Sequence, residues 1–236
     1  NNGMAQLATE QGPAYDINID VFNQLQHSIT GWPGGKPNAD DTQRPERKSP
    51  AKKRSIIFSP HPDDDVISMG GTFIRLVDQG HDVHVAYQTS GNTAVWDTDV
   101  LRYVEFAIDF KKSTGEDTEK LEATYEKMRD FIDKKEPNEI DLDEIRDVKA
   151  FIRKSEAIAG ARYAGLKDKN IHFMALPFYE TGKKVKNPVT NKDVELTMEL
   201  LKEVKPHQIF AAGDFADPHG THIVCFRIIL EAMKRL

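Results

Sequence analysis

The sequence predicts an α/β fold: a doubly wound, mostly parallel sheet with helices on both faces and a helical insertion. Four short apolar runs that alternate with helical patterns carry this prediction. Two of the runs lead into turns rich in histidine and aspartate, which suit the ligand-binding edge of an open α/β sheet. The length of 236 residues is enough for one such domain with additions.

The chain divides into a leader and one domain. Residues 1–54 are predicted to be an N-terminal leader or interdomain linker, because a single helical pattern near residues 15–29 is followed by a polar, proline-bearing and increasingly basic stretch. Residues 55–236 are predicted to form the α/β domain. The four apolar runs place its strands at residues 55–59, 82–89, 170–176 and 208–212.

The segments between these strands differ in character. Residues 66–77 have the pattern of a helix. The highly charged stretch at about residues 97–165 has helical apolar spacing and is predicted to be a helical insertion that flanks the sheet. Residues 178–192 contain Gly, Pro and Asn without periodicity, so they are predicted to form a loop that passes near the ligand-binding edge.

The turn after the first predicted strand combines one imidazole with three carboxylates, at His61, Asp63, Asp64 and Asp65. Three neighbouring carboxylates repel one another, so a turn that keeps them usually has a cation to satisfy. Zinc is the simplest candidate because it accepts both imidazole nitrogen and carboxylate oxygen. The alternative is a solvated acidic turn that caps the next helix.

The turn after the fourth predicted strand carries two histidines three residues apart, His219 and His222. At the start of a helix, this spacing puts both on nearly the same face. One of them can bind a metal while the other faces whatever the metal holds. Taken alone, the turn is explained equally well as a helix start. Because both turns follow predicted strands, the sequence predicts that they meet at one metal site.

The first turn carries a family resemblance. Pro60-His61-Pro62-Asp63-Asp64-Asp65, followed by Ser68-Met69-Gly70-Gly71-Thr72, resembles the signature of the zinc-dependent de-N-acetylases of the LmbE and PIG-L superfamily. Thr89-Ser90-Gly91, Arg153, Glu156 and Leu176-Pro177 extend the match. The resemblance implies a Rossmann-like fold and hydrolysis of the acetamide of an N-acetylglucosamine-type substrate, which in this family is carried on inositol, phosphatidylinositol, malate or chitin oligomers.

A narrower resemblance concerns residues 176–182 and 217–222. These segments are similar to the deacetylase-like part of bacterial glucosamine-6-phosphate deaminase-like fusion proteins. This resemblance implies a covalently fused deaminase-like domain and a substrate that can be phosphorylated. Family members usually continue beyond the second histidine motif, so the chain is expected to be a piece of a longer protein.

The resemblance also implies roles for individual residues. The metal ligands would be His61, Asp64 and His222; the metal would be Zn²⁺, although the same ligand set can hold Fe(II). Asp63 would be the general base, and His219 would face the substrate oxygen. Substrate contacts are expected from Tyr179, Glu180 and Arg153, although Arg153 and Glu156 can also be a simple ion pair on one helix.

Two positions depart from the family pattern. Asp65 stands where the family usually has Glu, and Thr221 stands where the family's His-Pro-Asp-His motif has Asp. Metal binding is expected to survive the change at Thr221, and the shorter Asp65 is expected to move a contact behind the metal ligands. Two alternatives to a de-N-acetylase therefore stay open: a metal-binding module that has lost turnover, and a metal-dependent hydrolase of another amide or ester, since the reacting groups do not name their substrate.

The composition argues against some classes of binding partner and indicates a cellular compartment. A formal net charge of −6 argues against non-specific nucleic-acid binding, and no apolar run approaches the length of a membrane span. The single cysteine, Cys225, cannot form an internal disulfide. A cytoplasmic protein that acts on a small amino-sugar substrate is therefore predicted, with its oligomeric state left open.

Overall fold

The computed structural model of the protein describes residues 2–27, 52–183, 185–214 and 216–236. Its centre is a four-stranded parallel sheet with the strand order β3-β2-β1-β4. The strands are β1 Arg54–Ser59, β2 Asp82–Tyr87, β3 Ile171–Phe173 and β4 Gln208–Ala211. The predicted parallel α/β architecture is confirmed.

Eight helices lie within the described residues. They are α1 Asn2–Gln11, α2 Ala14–His27, α3 Asp64–Asp78, α4 Asp97–Ser113, α5 Glu119–Lys134, α6 Asp143–Tyr163, α7 Asn191–Val204 and α8 Thr221–Arg235. None of the helices described here is both long and apolar enough to cross a membrane. The helix predicted near residues 15–29 corresponds to α2, and most of the predicted linker that follows lies outside the described residues.

The sheet is covered on both faces because its central strands alternate apolar side chains between two cores. On one face, Ile57 of β1 and Val85 of β2 pack with α3 and α6. On the other face, Ile56 and Phe58 pack with α7 and α8. Helices on both faces explain why β1 is apolar throughout its middle, as expected of a buried parallel strand.

The predicted insertion is a helical unit with its own core. Helices α4, α5 and α6 enclose a third cluster of buried residues, which consists of Val100, Val104, Ile108, Met128 and Ile145. Lys149 of α6 is 6 % exposed and contacts Asp97 at 2.6 Å and Asp141 at 2.8 Å. These ion pairs fasten the start of α4 to α6, one helical turn before Arg153.

The order of the strands reverses at β1. Strands β2 and β3 follow on one side of β1, whereas β4 returns to its other side, with Phe58 of β1 paired to Ala211 of β4. Such a switch point opens a crevice at the carboxyl ends of the adjacent strands. The turns that contain His61 and His222 leave the sheet at this crevice.

In the α/β domain, three strand and helix boundaries differ from the prediction by two residues or more. The strands predicted at residues 82–89 and 170–176 end earlier, at Tyr87 and Phe173. Beyond Tyr87 the chain runs beside the turn that contains His61, since the N–H groups of Gln88 and Thr89 donate to the carbonyls of Ser59 and Pro60. Helix α3 begins at Asp64, two residues before the predicted start, so that one predicted metal ligand is its first residue.

Candidate metal centre

Three side chains from the two turns converge on one point. His61 Nδ1 lies 3.2 Å from Asp64 Oδ2, and His222 Nε2 lies 3.2 Å from both of these atoms. The ligand-type atoms of His61, Asp64 and His222 therefore form a nearly equilateral triangle that could hold a metal ion. The sequence predicted this meeting of residues that are 161 positions apart.

The triangle fits a tetrahedral zinc ion. Zinc binds histidine nitrogen and carboxylate oxygen at about 2.0–2.1 Å, which puts two ligands of a tetrahedral site about 3.3 Å apart. The observed separations of 3.2 Å agree with this spacing. Two neutral imidazoles and one carboxylate are also a donor set that zinc accepts, and three protein ligands leave one position open.

The charge on Asp64 suits a metal ligand. Burial raises the pKa of its carboxyl group, but hydrogen bonds from the His61 ring and backbone outweigh this effect, and the pKa is lowered overall. Asp64 is therefore ionised at neutral pH. The His61 backbone N–H donates to Asp64 Oδ2 at 2.9 Å, so that the turn itself aims the carboxylate.

The second turn is held by the carboxylate of Asp217, a residue type that is common at helix starts. Asp217 accepts the backbone N–H groups of His219 and His222, each at 3.0 Å. Gly220 precedes α8 with a positive φ of 68°, and this conformation lets the chain enter the helix directly after His219. Asp217 thereby sets the backbone positions of both histidines.

The two histidines of this turn have different surroundings. The imidazole of His222 is partly buried in the triangle, and its Nδ1 is buried without a hydrogen-bond partner among the described residues. His219 is exposed. Its expected role of facing a substrate oxygen stays a prediction.

Asp63 lies beside the triangle and not within it. Its Oδ2 accepts a hydrogen bond from Arg153 at 2.7 Å, and Arg153 also contacts Glu156 at 2.8 Å. Arg153 and Glu156 therefore form the i,i+3 pair that the sequence allowed, but the same guanidinium reaches the metal turn. Among the described residues no group donates to the other oxygen, Oδ1, which is left for a proton or a ligand, and the Asp63 side chain is 42 % exposed.

The third carboxylate of the turn faces inward. Asp65 is 1 % exposed, and its two oxygens accept hydrogen bonds from Ser59 Oγ at 3.3 Å and from the Tyr87 hydroxyl at 2.9 Å. Burial raises the pKa of Asp65, which these hydrogen bonds only partly oppose. Ser59 Oγ also donates to the carbonyl of His61. The buried hydrogen bonds of Asp65 and Tyr87 therefore stabilise the turn on its inner side.

The loop predicted near the site packs against it. The Tyr179 ring lies edge-on to the His61 ring, with 6.0 Å between centroids, and its hydroxyl hydrogen-bonds Thr93 at 2.8 Å. Glu180 accepts hydrogen bonds from the N–H and the hydroxyl of Ser90, both at 2.8 Å. Since Tyr179 is only 2 % exposed, its ring packs inside the protein, where it supports His61. Sugar contacts by Tyr179, Glu180 and Arg153 stay predictions.

Comparisons with known proteins agree with this geometry. The family model described as PIG-L, GlcNAc-PI de-N-acetylase, matches residues 56–233, which includes all three residues of the triangle. The chain belongs to the PIG-L family.

A relative from Bacteroides thetaiotaomicron, named putative glucosamine-6-phosphate deaminase-like protein, is 53 % identical over 234 residues. The match covers 98 % of this chain but only 35 % of the relative. The chain thus spans about a third of the length of that protein. The comparison agrees with the resemblance to fusion proteins of this type.

Because the chain belongs to the PIG-L family, the structural surroundings of the two residues that depart from the family pattern, Asp65 and Thr221, are of interest. At the position where the family has Glu, the shorter Asp65 still finds two hydroxyl partners, Ser59 and Tyr87. Thr221 is 3 % exposed in the first turn of α8, next to the metal-ligand candidate His222. The carboxylate that acts on the histidines of this turn is Asp217, which lies before them in the chain and not between them.

Gly91, part of the PIG-L resemblance, provides a test of how tightly the metal turn is packed. Its φ is 64°, and a Cβ there would lie 2.7 Å from Pro62 Cδ. We expect Gly91→Ala to lower the free energy of unfolding by more than the ~1–2 kcal/mol that a left-handed alanine costs. Urea unfolding of both the native chain and the variant measures the difference.

Gly115→Ala is the matched control for this prediction. Gly115 also has a positive φ, of 75°, but a Cβ there would meet nothing within 4 Å. Its substitution therefore reports the backbone strain alone. Equal losses of stability in the two variants would show that Gly91 is not needed for close packing on Pro62.

Proposed function

We propose that this chain catalyses zinc-dependent hydrolysis of the acetamide of an N-acetylglucosamine-type substrate and releases acetate and a free amine. The observation that carries the proposal is the triangle of His61, Asp64 and His222, with its three 3.2 Å separations beside a half-free Asp63 carboxylate. Zinc bound there would supply a Lewis acid and lower the pKa of a water molecule toward ~7.

Asp63 is the proposed general base. Arg153 holds its Oδ2, which leaves Oδ1 to accept the proton of the attacking water. Asp63 and Asp64 are neighbours at the start of α3, but Asp64 points into the triangle and Asp63 toward Arg153. The two carboxylates can thus serve metal binding and proton transfer separately. The same Asp63 atom can later return the proton to the departing amine.

His219 is the proposed donor to the substrate oxygen. In its protonated form it would stabilise negative charge on the acetamide oxygen as the carbonyl is attacked. Asp217 lies at the base of the same turn, where it accepts the backbone N–H groups of His219 and His222. Burial raises the pKa of Asp217, but these hydrogen bonds lower it overall, so the turn holds an ionised carboxylate although Thr221 is neutral.

The proposed substrate and the proposed partner domain are based on the name of the Bacteroides thetaiotaomicron relative. Its printed name refers to a glucosamine 6-phosphate deaminase-like protein, and this chain covers 35 % of it. A phosphorylated N-acetylated amino sugar is therefore a reasonable substrate. Deacetylation would expose the amine that a deaminase-like domain on the same chain could use.

The test is an amine-release assay on zinc-loaded protein with three substrates: N-acetylglucosamine, N-acetylglucosamine 6-phosphate and an N-acetylated amino acid. We expect release from at least one of the sugars and none from the amino acid. Release from the amino acid alone would mean that the substrate is another amide and not an N-acetylated sugar. No release from any substrate, with zinc bound, would favour the second candidate, a metal-binding module; the exposed His219 and the neutral Thr221 are what favour that candidate.

A further inference from the structure

Within the described parts of the chain, the ammonium group of Lys186 is buried and donates none of its three N–H groups to a hydrogen-bond partner. The group lies 3.7 Å from the centre of the Tyr179 ring. Burial lowers the pKa of Lys186, and the charge of Glu180 opposes this shift. A desolvated cation that makes no hydrogen bond is costly, so its retention calls for an explanation.

The carboxylate whose charge acts on Lys186 is already engaged. This group is Glu180, and both of its oxygens accept hydrogen bonds from Ser90. Glu180 therefore has its own donors, while Lys186 Nζ donates to none of the described residues.

The position of Lys186 relates it to the metal centre through one aromatic ring. Tyr179 contacts Lys186 with its face and lies edge-on to His61. Only the width of this ring therefore separates Lys186 from His61, so that the far end of a sugar whose acetamide lies at the triangle would be within reach of the lysine. The distance spanned by one tyrosine ring is comparable to the width of a pyranose ring.

The lysine can also move at little cost. Its ammonium sits on a flexible four-carbon stem, and it has no hydrogen bond to lose when it rotates off the ring. The contact with the Tyr179 face keeps the cation near the site in the absence of a ligand. An anion that enters the crevice would offer the hydrogen bonds that the group lacks.

We propose that Lys186 binds an anionic substituent, a phosphate or a carboxylate, on the amino-sugar substrate. The inference rests on the proposed function, because it takes the acetamide end of that substrate to lie at His61, Asp64 and His222. A charged contact at the far end would hold the sugar by two points and orient the amide. Lys186 lies in the predicted loop at residues 178–192, where neither a motif nor a periodicity in the sequence indicates a binding residue.

The test measures binding of product-type ligands to the zinc-loaded chain by calorimetry, so that no turnover is needed. The ligands are glucosamine, glucosamine 6-phosphate and muramic acid, an amino sugar with a carboxylate. We expect the native chain to prefer one anionic sugar over glucosamine, and Lys186→Met to bind that sugar about 10-fold or more weakly. Binding of glucosamine itself should change by less than about 2-fold in the variant. The favoured ligand distinguishes phosphate from carboxylate.

Lys183→Met is the matched control, because Lys183 is an exposed lysine three residues earlier in the same stretch. It should keep the native preference, as should Lys186→Arg. If Lys186→Met does not fold, Lys186→Gln replaces it, since it keeps a polar side chain without the charge. Equal affinity of the native chain for all three ligands would overturn the inference, and so would a preference that survives both neutral substitutions.

The two proposals fail separately. If binding depends on Lys186 but no N-acetylated sugar is hydrolysed, the anion site stands and the proposed catalysis does not. If sugars are hydrolysed but affinity is indifferent to their charge, the catalysis stands and the role of Lys186 is wrong.

Discussion

Replacement of Asp63 by asparagine is expected to lower kcat by about 10²–10⁴-fold, the usual contribution of a general base. Asparagine keeps the size of the side chain and an oxygen that can accept the Arg153 hydrogen bond, but it cannot take up a proton. The zinc content should stay at the native level, because Asp63 points away from the three ligand candidates. The measurements are amine release at saturating substrate and metal per chain.

Asp78→Asn is the control for this substitution. Asp78 lies exposed at the opposite end of α3, so it tests the loss of one carboxylate from the same helix without touching the site. A native kcat in Asp63→Asn would remove Asp63 from the mechanism. Loss of zinc would instead make it a ligand.

Replacement of His222 by alanine is expected to abolish tight zinc binding and, with it, hydrolysis. Loss of a residue that only supports a metal ligand typically costs 10–100-fold in affinity, so we expect loss of the ligand itself to cost at least ~100-fold. Zinc per chain after dialysis, together with a competition titration against a chelator, measures the change.

His219→Ala separates metal binding from catalysis in the same turn. It should retain zinc, because His219 is not part of the triangle. Its kcat should fall by about 10²–10³-fold if it donates to the developing oxyanion. Native zinc affinity in His222→Ala would mean that the two turns do not share an ion. Loss of zinc in the His219 variant would mean that His219, and not only His222, is needed for metal binding.

The sequence predicted the strands and the two metal turns because their signals are local. Each turn follows an apolar run, and parallel strands bring their carboxyl ends to the same edge. What the sequence could not show is which strand lies next to β1. The order β3-β2-β1-β4 makes β1 and β4 neighbours, and only this adjacency brings His222 within 3.2 Å of His61.

Contacts between distant side chains were harder to predict. Arg153 lies 90 residues from Asp63, and its partner on its own helix, Glu156, gave a sufficient explanation for its presence. Tyr87 belongs to an apolar run that predicts a strand, but that pattern does not indicate that its hydroxyl donates a hydrogen bond to Asp65. The sequence around Asp217 indicates only a helix start. The structure adds that the Asp217 carboxylate accepts hydrogen bonds from two backbone N–H groups at once.

The adjacency of β1 and β4 also bears on how the chain folds. The first turn is synthesised early and the second late, and a bridge between His61 and His222 would close a loop of 161 residues. An ion bound across them would act like a removable cross-link, since it binds the folded state and holds together segments whose encounter carries a large entropic cost. Metal supply would then set the melting temperature of the domain, and a chelator would loosen first the edge where β4 joins β1.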